Sequence, residues 1–333
     1  MTNRFPKKVI AQAQPNIAFV KYWGKRDERW NLPFADSVSV CLDSFETKVE
    51  LVREEGLARD EFLWNGQKLS ASYQGRFMAL LGMARERSGD RSPMRLAVKT
   101  NLPSRVGLAS SSACMAAFAR AVDVSYGMGL TDRELSAVAR LGSGSACRSV
   151  PGGFARWKRG VREDGSDSVA ERIASPDHWP ELEVLVVVLT TKSKDVSSSA
   201  GMMRTARTSH QFSYWVEQCQ SVSDDVVDAI SKRDFEALGR LTERNARSFH
   251  GLCMTAVPPL LYVRESTVSM LELVAELQRE VPLFYTLDAG PNPVVFTLSS
   301  SKQMVLNAIS DRFPYAAVFC CKPGGGASVC GVE

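Results

Sequence analysis

Pro103-Ser-Arg-Val-Gly107-Leu-Ala-Ser110-Ser111-Ser112 lies between an alternating stretch, Met94–Thr100, and an Ala-, Met- and Phe-rich run, Ala113–Val124. Alternation reads as a strand and the apolar run as a buried helix, so the segment is a Gly/Ser loop that leads from strand to helix. Backbone N–H groups at a helix start lack intrahelical partners and sit at the positive end of the dipole, which suits phosphate. Gly107 lets the backbone approach an anion closely. The hydroxyls of Ser110 and Ser111 can donate to phosphate oxygens or reach a magnesium ion. The same serines also suit ordinary helix capping, and the loop alone leaves both readings open. No G-x-x-x-x-G-K-[ST] string occurs, so this is not a Walker-type loop.

Three other stretches carry chemistry of a compatible kind. Gly142-Ser-Gly-Ser-Ala-Cys-Arg148 gathers hydroxyls, amides and one guanidinium within a few residues, which reads either as an oxyanion cradle or as a flexible turn. It follows a helix signal, the Thr131–Glu134 capping box, and Cys stands where a dinucleotide loop needs its third Gly. Tyr285-Thr-Leu-Asp288-Ala-Gly-Pro-Asn292 puts an Asp in a tight turn between apolar segments, the commoner purpose of which is turn formation. Asn16-Ile-Ala-Phe-Val-Lys21-Tyr-Trp-Gly-Lys25-Arg26 brings cations and aromatics to the end of an extended segment. Together they describe an ATP-using enzyme acting on a phosphorylated acid.

The bulk properties narrow the class. With 333 residues, two packed lobes are the default. A net charge of +4 without any basic block argues against nucleic acid. The N-terminal residues lack the apolar core of a signal peptide, and the strongest apolar run, Val184–Leu189, is too short to span a bilayer. The expectation is a soluble, cytoplasmic protein. The eight cysteines contain no C-x-x-C pair and read as reduced packing residues. His178, His210 and His250 are far apart, which disfavours a zinc site or a Ser-His-Asp hydrolase.

Strands are expected at Val9–Tyr22, Ser37–Leu42, Phe45–Val52, Met94–Thr100, Gly152–Trp157, Leu182–Thr190, Pro293–Leu298 and Ala316–Cys320. Helices are expected at Arg76–Arg87, Ala113–Val124, Gly201–Ser221, Ser223–Lys232, Asp234–Phe249 and Leu261–Arg279. Strands mixed with runs of helices predict an α+β fold, divided into lobes of residues 1–185 and 186–333.

The Pro103–Ala113 stretch resembles the P-x-x-x-G-L-x-S-S-A motif of the GHMP kinase superfamily. The other three stretches, read as Asn16–Asp27, Gly142–Ser149 and Tyr285–Asn292, resemble mevalonate diphosphate decarboxylases. Weaker likenesses at Trp64-Asn-Gly66, Ser197–Met202 and Phe249-His250 extend the resemblance over almost the whole chain, in order. It implies a ribosomal-protein-S5-like N-terminal lobe, a ferredoxin-like C-terminal lobe with the site between them, and a homodimer. It implies ATP and Mg2+ as cofactors, and phosphorylation then decarboxylation of mevalonate 5-diphosphate.

Residue by residue, the resemblance makes Asp288 the catalytic acid at the substrate 3-hydroxyl, and gives Arg148 and Asn16 the substrate carboxylate. Lys21 would sit beside Asp288 and the transferred phosphoryl group, keeping the Asp ionised. Tyr22, Trp23, Gly24, Lys25, Arg76, Ser143, Gly144, Ser145, Ala146, Cys147 and Ser199 would position the substrate. Gly107, Leu108, Ala109, Ser110, Ser111 and Ser112 would bind ATP, with Ser111 on the metal. The chain departs from the family pattern at Ala13-Gln14-Pro15, at Ala35-Asp36 and at Ser199, where a bacterial subgroup has Arg. Rivals in the same fold are a monophosphate decarboxylase and a mevalonate 3-kinase. A rival of another class, a non-catalytic metabolite sensor, would have lost the Asp, Lys and Arg present here.

Overall fold

A computed structural model describes residues 5–54, 56–103, 110–192 and 194–333. The expected ATP-loop residues Gly107, Leu108 and Ala109, and the side chain of Ser110, lie outside the described residues. The chain opens with β1 (Lys8–Ala13), β2 (Asn16–Val20), the small pair β3 (Lys25–Asp27) and β4 (Leu32–Pro33), then β5 (Ser37–Cys41) and β6 (Thr47–Arg53). β7 (Glu61–Trp64) and β8 (Gln67–Lys68) precede α1 (Ala71–Ser88), β9 (Met94–Thr100), α2 (Ser110–Ser125), α3 (Asp132–Gly142) and the one-turn α4 (Ala146–Ser149). β10 (Phe154–Trp157), β11 (Ala170–Ala174) and β12 (Leu182–Val188) lead to four helices: α5 (Ser198–Thr208), α6 (Phe212–Lys232), α7 (Phe235–Met254) and α8 (Glu265–Leu277). β13 (Leu283–Leu287), β14 (Pro293–Leu298), α9 (Lys302–Arg312), β15 (Ala317–Cys321) and β16 (Ser328–Val332) follow.

The N-terminal lobe holds a six-stranded sheet, β16-β1-β6-β9-β7-β8, and a four-stranded sheet, β11-β10-β5-β2. Inward residues of the larger sheet, Val9, Val49, Leu51, Leu96 and Val98, pack on α1, α2 and α3. The first half of α2 is covered on all sides, with Ala113, Met115, Ala117 and Phe118 fully buried, while Arg120 farther along pairs with Asp123 and Asp132. The Thr131 capping box forms as expected: Thr131 N–H donates to Glu134 Oε2 at 2.9 Å, and Glu134 N–H donates to Thr131 Oγ1 at 3.3 Å.

The C-terminal lobe is built on an antiparallel sheet, β13-β14-β12-β15. Its inner strand β12 is apolar without a break from Val184 onward, where helices cover both faces, and its one charged residue, Glu183, is paired with Lys302 and Lys322. Val184 and Val186 join the core shared with β2, α6 and α7, while Leu185 and Val187 pack on α8 and α9, the alternation of a pleated strand. Helices α6 and α7 therefore lie between this sheet and the smaller N-terminal sheet, and one apolar core joins the two lobes.

The expected lobe division at 185/186 falls inside β12, which belongs whole to the C-terminal sheet. Beyond it the chain crosses back: β16 pairs antiparallel with β1, Val9 opposite Val332. The helix expected over Gly201–Ser221 is two helices, broken at residues 209–211, where the Ser209 hydroxyl takes the Gln211 N–H at 3.2 Å. The division expected at residue 222 is absent, and α6 runs through it with Val222 buried. Strands β3, β4, β7, β8, β11, β13 and β16 and helix α9 were not expected.

The return of the chain brings 324–326, three glycines, against Pro151-Gly152-Gly153 just behind α4. Gly153 N–H donates to the Gly324 carbonyl at 2.8 Å, and Ala327 N–H to the Val150 carbonyl at 3.0 Å. Gly152 has φ +66°, and a Cβ there would overlap the backbone of Gly325 and Gly326. Gly152→Ala is therefore expected to destabilise the protein by about 2–4 kcal/mol, from left-handed strain plus overpacking. Urea unfolding checks this; a loss below about 0.5 kcal/mol would show that the glycine contact yields at little cost.

Candidate active site

β2 and the turn after it supply Asn16 and Lys21, α4 supplies Arg148, and the turn after β13 supplies Asp288. Asn16 Oδ1 accepts from Arg148 Nη2 at 3.0 Å and Nε at 3.2 Å. Its amide group is held by the Ser145 carbonyl at 3.1 Å and the Ser149 hydroxyl at 2.8 Å, which fixes the oxygen toward the guanidinium. Arg148 Nε also donates to Ser39 Oγ at 3.0 Å, and Nη1 to Ser37 Oγ at 2.8 Å. The Ser37 hydroxyl gives its own proton to the Val20 carbonyl at 2.5 Å, so its lone pairs face Arg148.

Arg148 is only 3% exposed, and every hydrogen-bond acceptor around it among the described residues is neutral. Burial pulls its pKa down, partly opposed by Cys147, Asp288 and Tyr22. A buried cation without a carboxylate costs several kcal/mol that an incoming anion can offset. The site is thus shaped for a negatively charged group.

Lys21 is 4% exposed and reaches Asp288 across the lobe boundary, Nζ to Oδ1 at 2.6 Å. Its ammonium also donates to Thr286 Oγ1 at 2.7 Å and to the Ala18 carbonyl at 2.9 Å. Its backbone N–H is held by Asn245 Oδ1 of α7 at 2.9 Å. Burial lowers the lysine pKa, Asp288 raises it, and Arg148 lowers it further. The Asp288 side chain, 28% exposed, is the opened end of this chain of contacts. His250 of α7 lies behind it, with Nε2 3.3 Å from the Leu287 carbonyl. Burial holds this imidazole neutral, with its pKa lowered to about 4.

The first turn of α2 meets the second Gly/Ser loop. Ser111 Oγ of α2 is 3.1 Å from Ser143 Oγ, which is 3.5 Å from Ser145 Oγ. Backbone amides expected to line the second cradle are used internally: the N–H groups of Ala146, Cys147 and Arg148 donate to the carbonyls of Ser143, Gly144 and Ser145. Hydroxyls and Arg148 are what this cradle offers. Tyr22 closes over it, its ring 4.6 Å from Trp157. The Tyr22 hydroxyl is without a partner among the described residues, and a Cβ on Gly144 would meet it at 2.6 Å.

Among the other expected ligand contacts, several side chains are buried in the core. Trp23 is buried, its Nε1–H donating to Thr205 Oγ1 at 2.7 Å and its ring edge-on to Phe249; it anchors the turn. Gly24, at φ +89°, is needed because a side chain there would strike Phe212. Ala146 and Cys147 point into the core, and Cys147 Sγ–H donates to the Gly144 carbonyl at 3.0 Å. Ser112 is also fully buried. Lys25 is half-buried, with its pKa lowered by burial, raised by Glu28 and lowered by exposed Arg76. Ser199 is exposed on the first turn of α5.

Lys194 was not foreseen: its Nζ donates to Ser198 Oγ at 2.7 Å and to the Ala289 carbonyl at 3.2 Å, within the field of Asp288. It lines a cavity of about 710 Å³ with Tyr262, Arg264 and Pro291. A second cavity, about 540 Å³, is lined by Asn65, Gly66, Lys99, Thr100 and Asn101, just before the phosphate-type loop. Ser37, Ser39, Ser149, Asn245 and Thr286 were also missed. The signal for the first two was serine at alternate positions of a strand with valine between.

The chain is similar to known proteins along almost its whole length. The family model for the diphosphomevalonate decarboxylase-like N-terminal domain matches residues 13–170. That for the mevalonate 5-diphosphate decarboxylase C-terminal domain matches residues 184–322. The diphosphomevalonate decarboxylase of Aspergillus fumigatus is 36% identical over 92% of this chain and 81% of its own length. The human one is 35% identical over 92% and 80%. Among solved structures, mevalonate diphosphate decarboxylase from Staphylococcus aureus superposes with a TM-score of 0.91, at 31% identity over 98% of both chains. A complex of MDDEF with MVAPP, AMPPCP and magnesium gives 0.90, at 32% identity over 97% of this chain and 98% of that one.

The neutral His250 sets a pH window for stability. The unfolded imidazole binds a proton below its ordinary 6.5, the folded one only near 4. Stability therefore falls as pH drops through that interval, by about 3 kcal/mol. Urea unfolding at neutral pH and near pH 4 measures it. His250→Gln is expected to flatten this part of the pH dependence; an unchanged slope would assign the loss to other groups.

Proposed function

This chain belongs to the diphosphomevalonate decarboxylase family, and from that premise we propose that it converts mevalonate 5-diphosphate and ATP to isopentenyl diphosphate, ADP, phosphate and CO2. The observation that carries the reading is the buried Arg148, surrounded by neutral acceptors and sharing a site with the Lys21–Asp288 pair. A substrate carboxylate supplies the anion that Arg148 lacks. Asn16, Ser37 and Ser39 hold the guanidinium so that the carboxylate is fixed before the chemistry begins.

Asp288 uses Oδ1 on Lys21 and keeps Oδ2 for the substrate. It orients the tertiary 3-hydroxyl and accepts its proton as that oxygen takes the γ-phosphoryl group from ATP. The C3–O bond then breaks with its electron pair leaving on phosphate. Positive charge develops at C3, facing the carboxylate of Asp288. The C1–C2 bond breaks, CO2 departs, and its electron pair becomes the C2=C3 double bond. Lys21 favours the ionised form of Asp288, so the proton taken from the hydroxyl passes on to water before the C3–O bond breaks, and a carboxylate again faces C3.

Ser143, Ser145 and Tyr22 line the substrate side, and Lys25, Arg76 and Ser199 are the polar groups we assign to its diphosphate. The nucleotide is assigned to the loop before α2 and the adjoining cavity at Asn65, Lys99 and Asn101. No cluster of three or more His, Cys, Asp or Glu side chains is present among the described residues, so magnesium would be held mainly by phosphate oxygens and water. The Ser111 hydroxyl, a hard oxygen donor beside Ser143, suits it. The ion would neutralise charge on the transferring phosphates. No described helix is long and apolar enough to cross a membrane. The family resemblance supports a cytoplasmic homodimer.

The deciding measurement follows ADP and CO2 together, with Mg-ATP and either mevalonate 5-diphosphate or mevalonate 5-phosphate. Equal yields from the diphosphate and little from the monophosphate are expected. Preference for the monophosphate would change the substrate, and ADP without CO2 would make the protein a 3-kinase. Asp288→Ala should lower turnover by at least about 10³-fold with substrate affinity little changed. Arg148→Gln should cost about 10²-fold, mainly in kcat; an effect confined to ATP affinity would remove Arg148 from the carboxylate.

A further inference from the structure

We propose that Thr286 is a positioning residue that commits Lys21 to Asp288, leaving the lysine no N–H for a phosphate oxygen. The proposal rests on the reaction assigned above, and deepens it. An ammonium has three donors, and Lys21 spends them on the Ala18 carbonyl, Thr286 Oγ1 and Asp288 Oδ1, at 2.9, 2.7 and 2.6 Å. Ala18 lies in the N-terminal lobe, Thr286 and Asp288 in the C-terminal lobe.

Thr286 makes this arrangement directional. Its hydroxyl has one proton, and donates it to the Ala18 carbonyl at 3.2 Å. Its lone pairs therefore face the ammonium. The residue is fully buried on β13, two positions before Asp288. A β-branched side chain in a strand has little rotamer freedom, so the hydroxyl is fixed with the backbone. Lys21 then acts on the reaction only through Asp288, as a fixed counter-ion, and the phosphoryl group must be met by other cations. Lys21 would then sit near the transferred phosphoryl group without donating to it.

The charged groups facing the pair are Asp288 after β13, Arg148 on α4, and Lys194 before α5. His250 on α7 is neutral above about pH 4 and adds no charge in the working range. Removing the Thr286 acceptor makes the ammonium easier to deprotonate, so the alkaline limb of the kcat/KM profile should move to lower pH.

Thr286→Val keeps the shape and removes the hydroxyl. It is expected to lower kcat about 10- to 100-fold, to leave KM for the acid within about threefold, and to shift the alkaline limb down. Thr286→Ser should restore both. A Val variant with kcat within about twofold and an unmoved limb would overturn the proposal, as would a slow variant whose limb is unmoved or which Ser does not rescue. Nitrogen-15 NMR of the unmodified enzyme gives a readout independent of turnover and of the Val variant's folding. The Lys21 ammonium should appear as a slowly exchanging signal, assigned by its loss in Lys21→Met. Its absence would overturn the proposal. Should the wild-type enzyme fail to yield ADP and CO2, the reaction assignment falls, while the NMR signal still decides the lysine's placement.

Discussion

The Lys21–Asp288 contact spans the boundary between the two sheets, and the rest of the molecule is arranged so that this can happen. A buried ion pair adds little net stability, because desolvation consumes most of the Coulomb attraction. The lobes are instead held by apolar packing. Phe19 of β2 lies 5.3 Å from Phe296, and Phe296 stacks on Phe284 at 4.7 Å. These rings belong to strands adjoining the ionic contact, so the packing that joins the lobes also sets the separation of ammonium and carboxylate. The pair is a consequence of that packing.

Arg148 illustrates a complementary economy. Its surroundings could have been completed with a carboxylate, which would make the free protein more comfortable and the site useless for an acid. Neutral oxygens from Asn16, Ser37 and Ser39 orient the guanidinium without cancelling its charge. The tension of a buried cation would be relieved by the acid proposed to bind there, so part of that attraction would be prepared during folding.

Much of this was legible in the chain. The strand Met94–Thr100, the buried helix after it, the capping box at Thr131 and the buried run of β12 follow from local pattern, and the structure agrees. Asn16, Lys21, Arg148 and Asp288 were found through resemblance, since no local rule brings residues so far apart in sequence together. Thr286 and Asn245 were invisible because one is an ordinary strand residue and the other a polar position on a long amphipathic helix; only tertiary packing aims them at Lys21. Trp23 and Cys147 misled for the opposite reason. They stand inside site segments, yet their side chains turn toward the core, since a rigid turn needs an anchor as well as a working face. β16 was missed because its Val-Cys-Gly-Val stretch is short and partly exposed, and its partner β1 is more than 300 residues away.

That distant pairing has a consequence for how the protein comes into being. During synthesis, β1 emerges early with one flank open, and its covering strand arrives only when residues 328–332 have left the ribosome. An unsatisfied sheet edge is a template for unwanted pairing with other chains. Closing so long a loop also slows the final step relative to local contacts. The backbone of 324–326 must pass close behind α4 on the way, so the support beneath Arg148 is among the last parts of the protein to be finished.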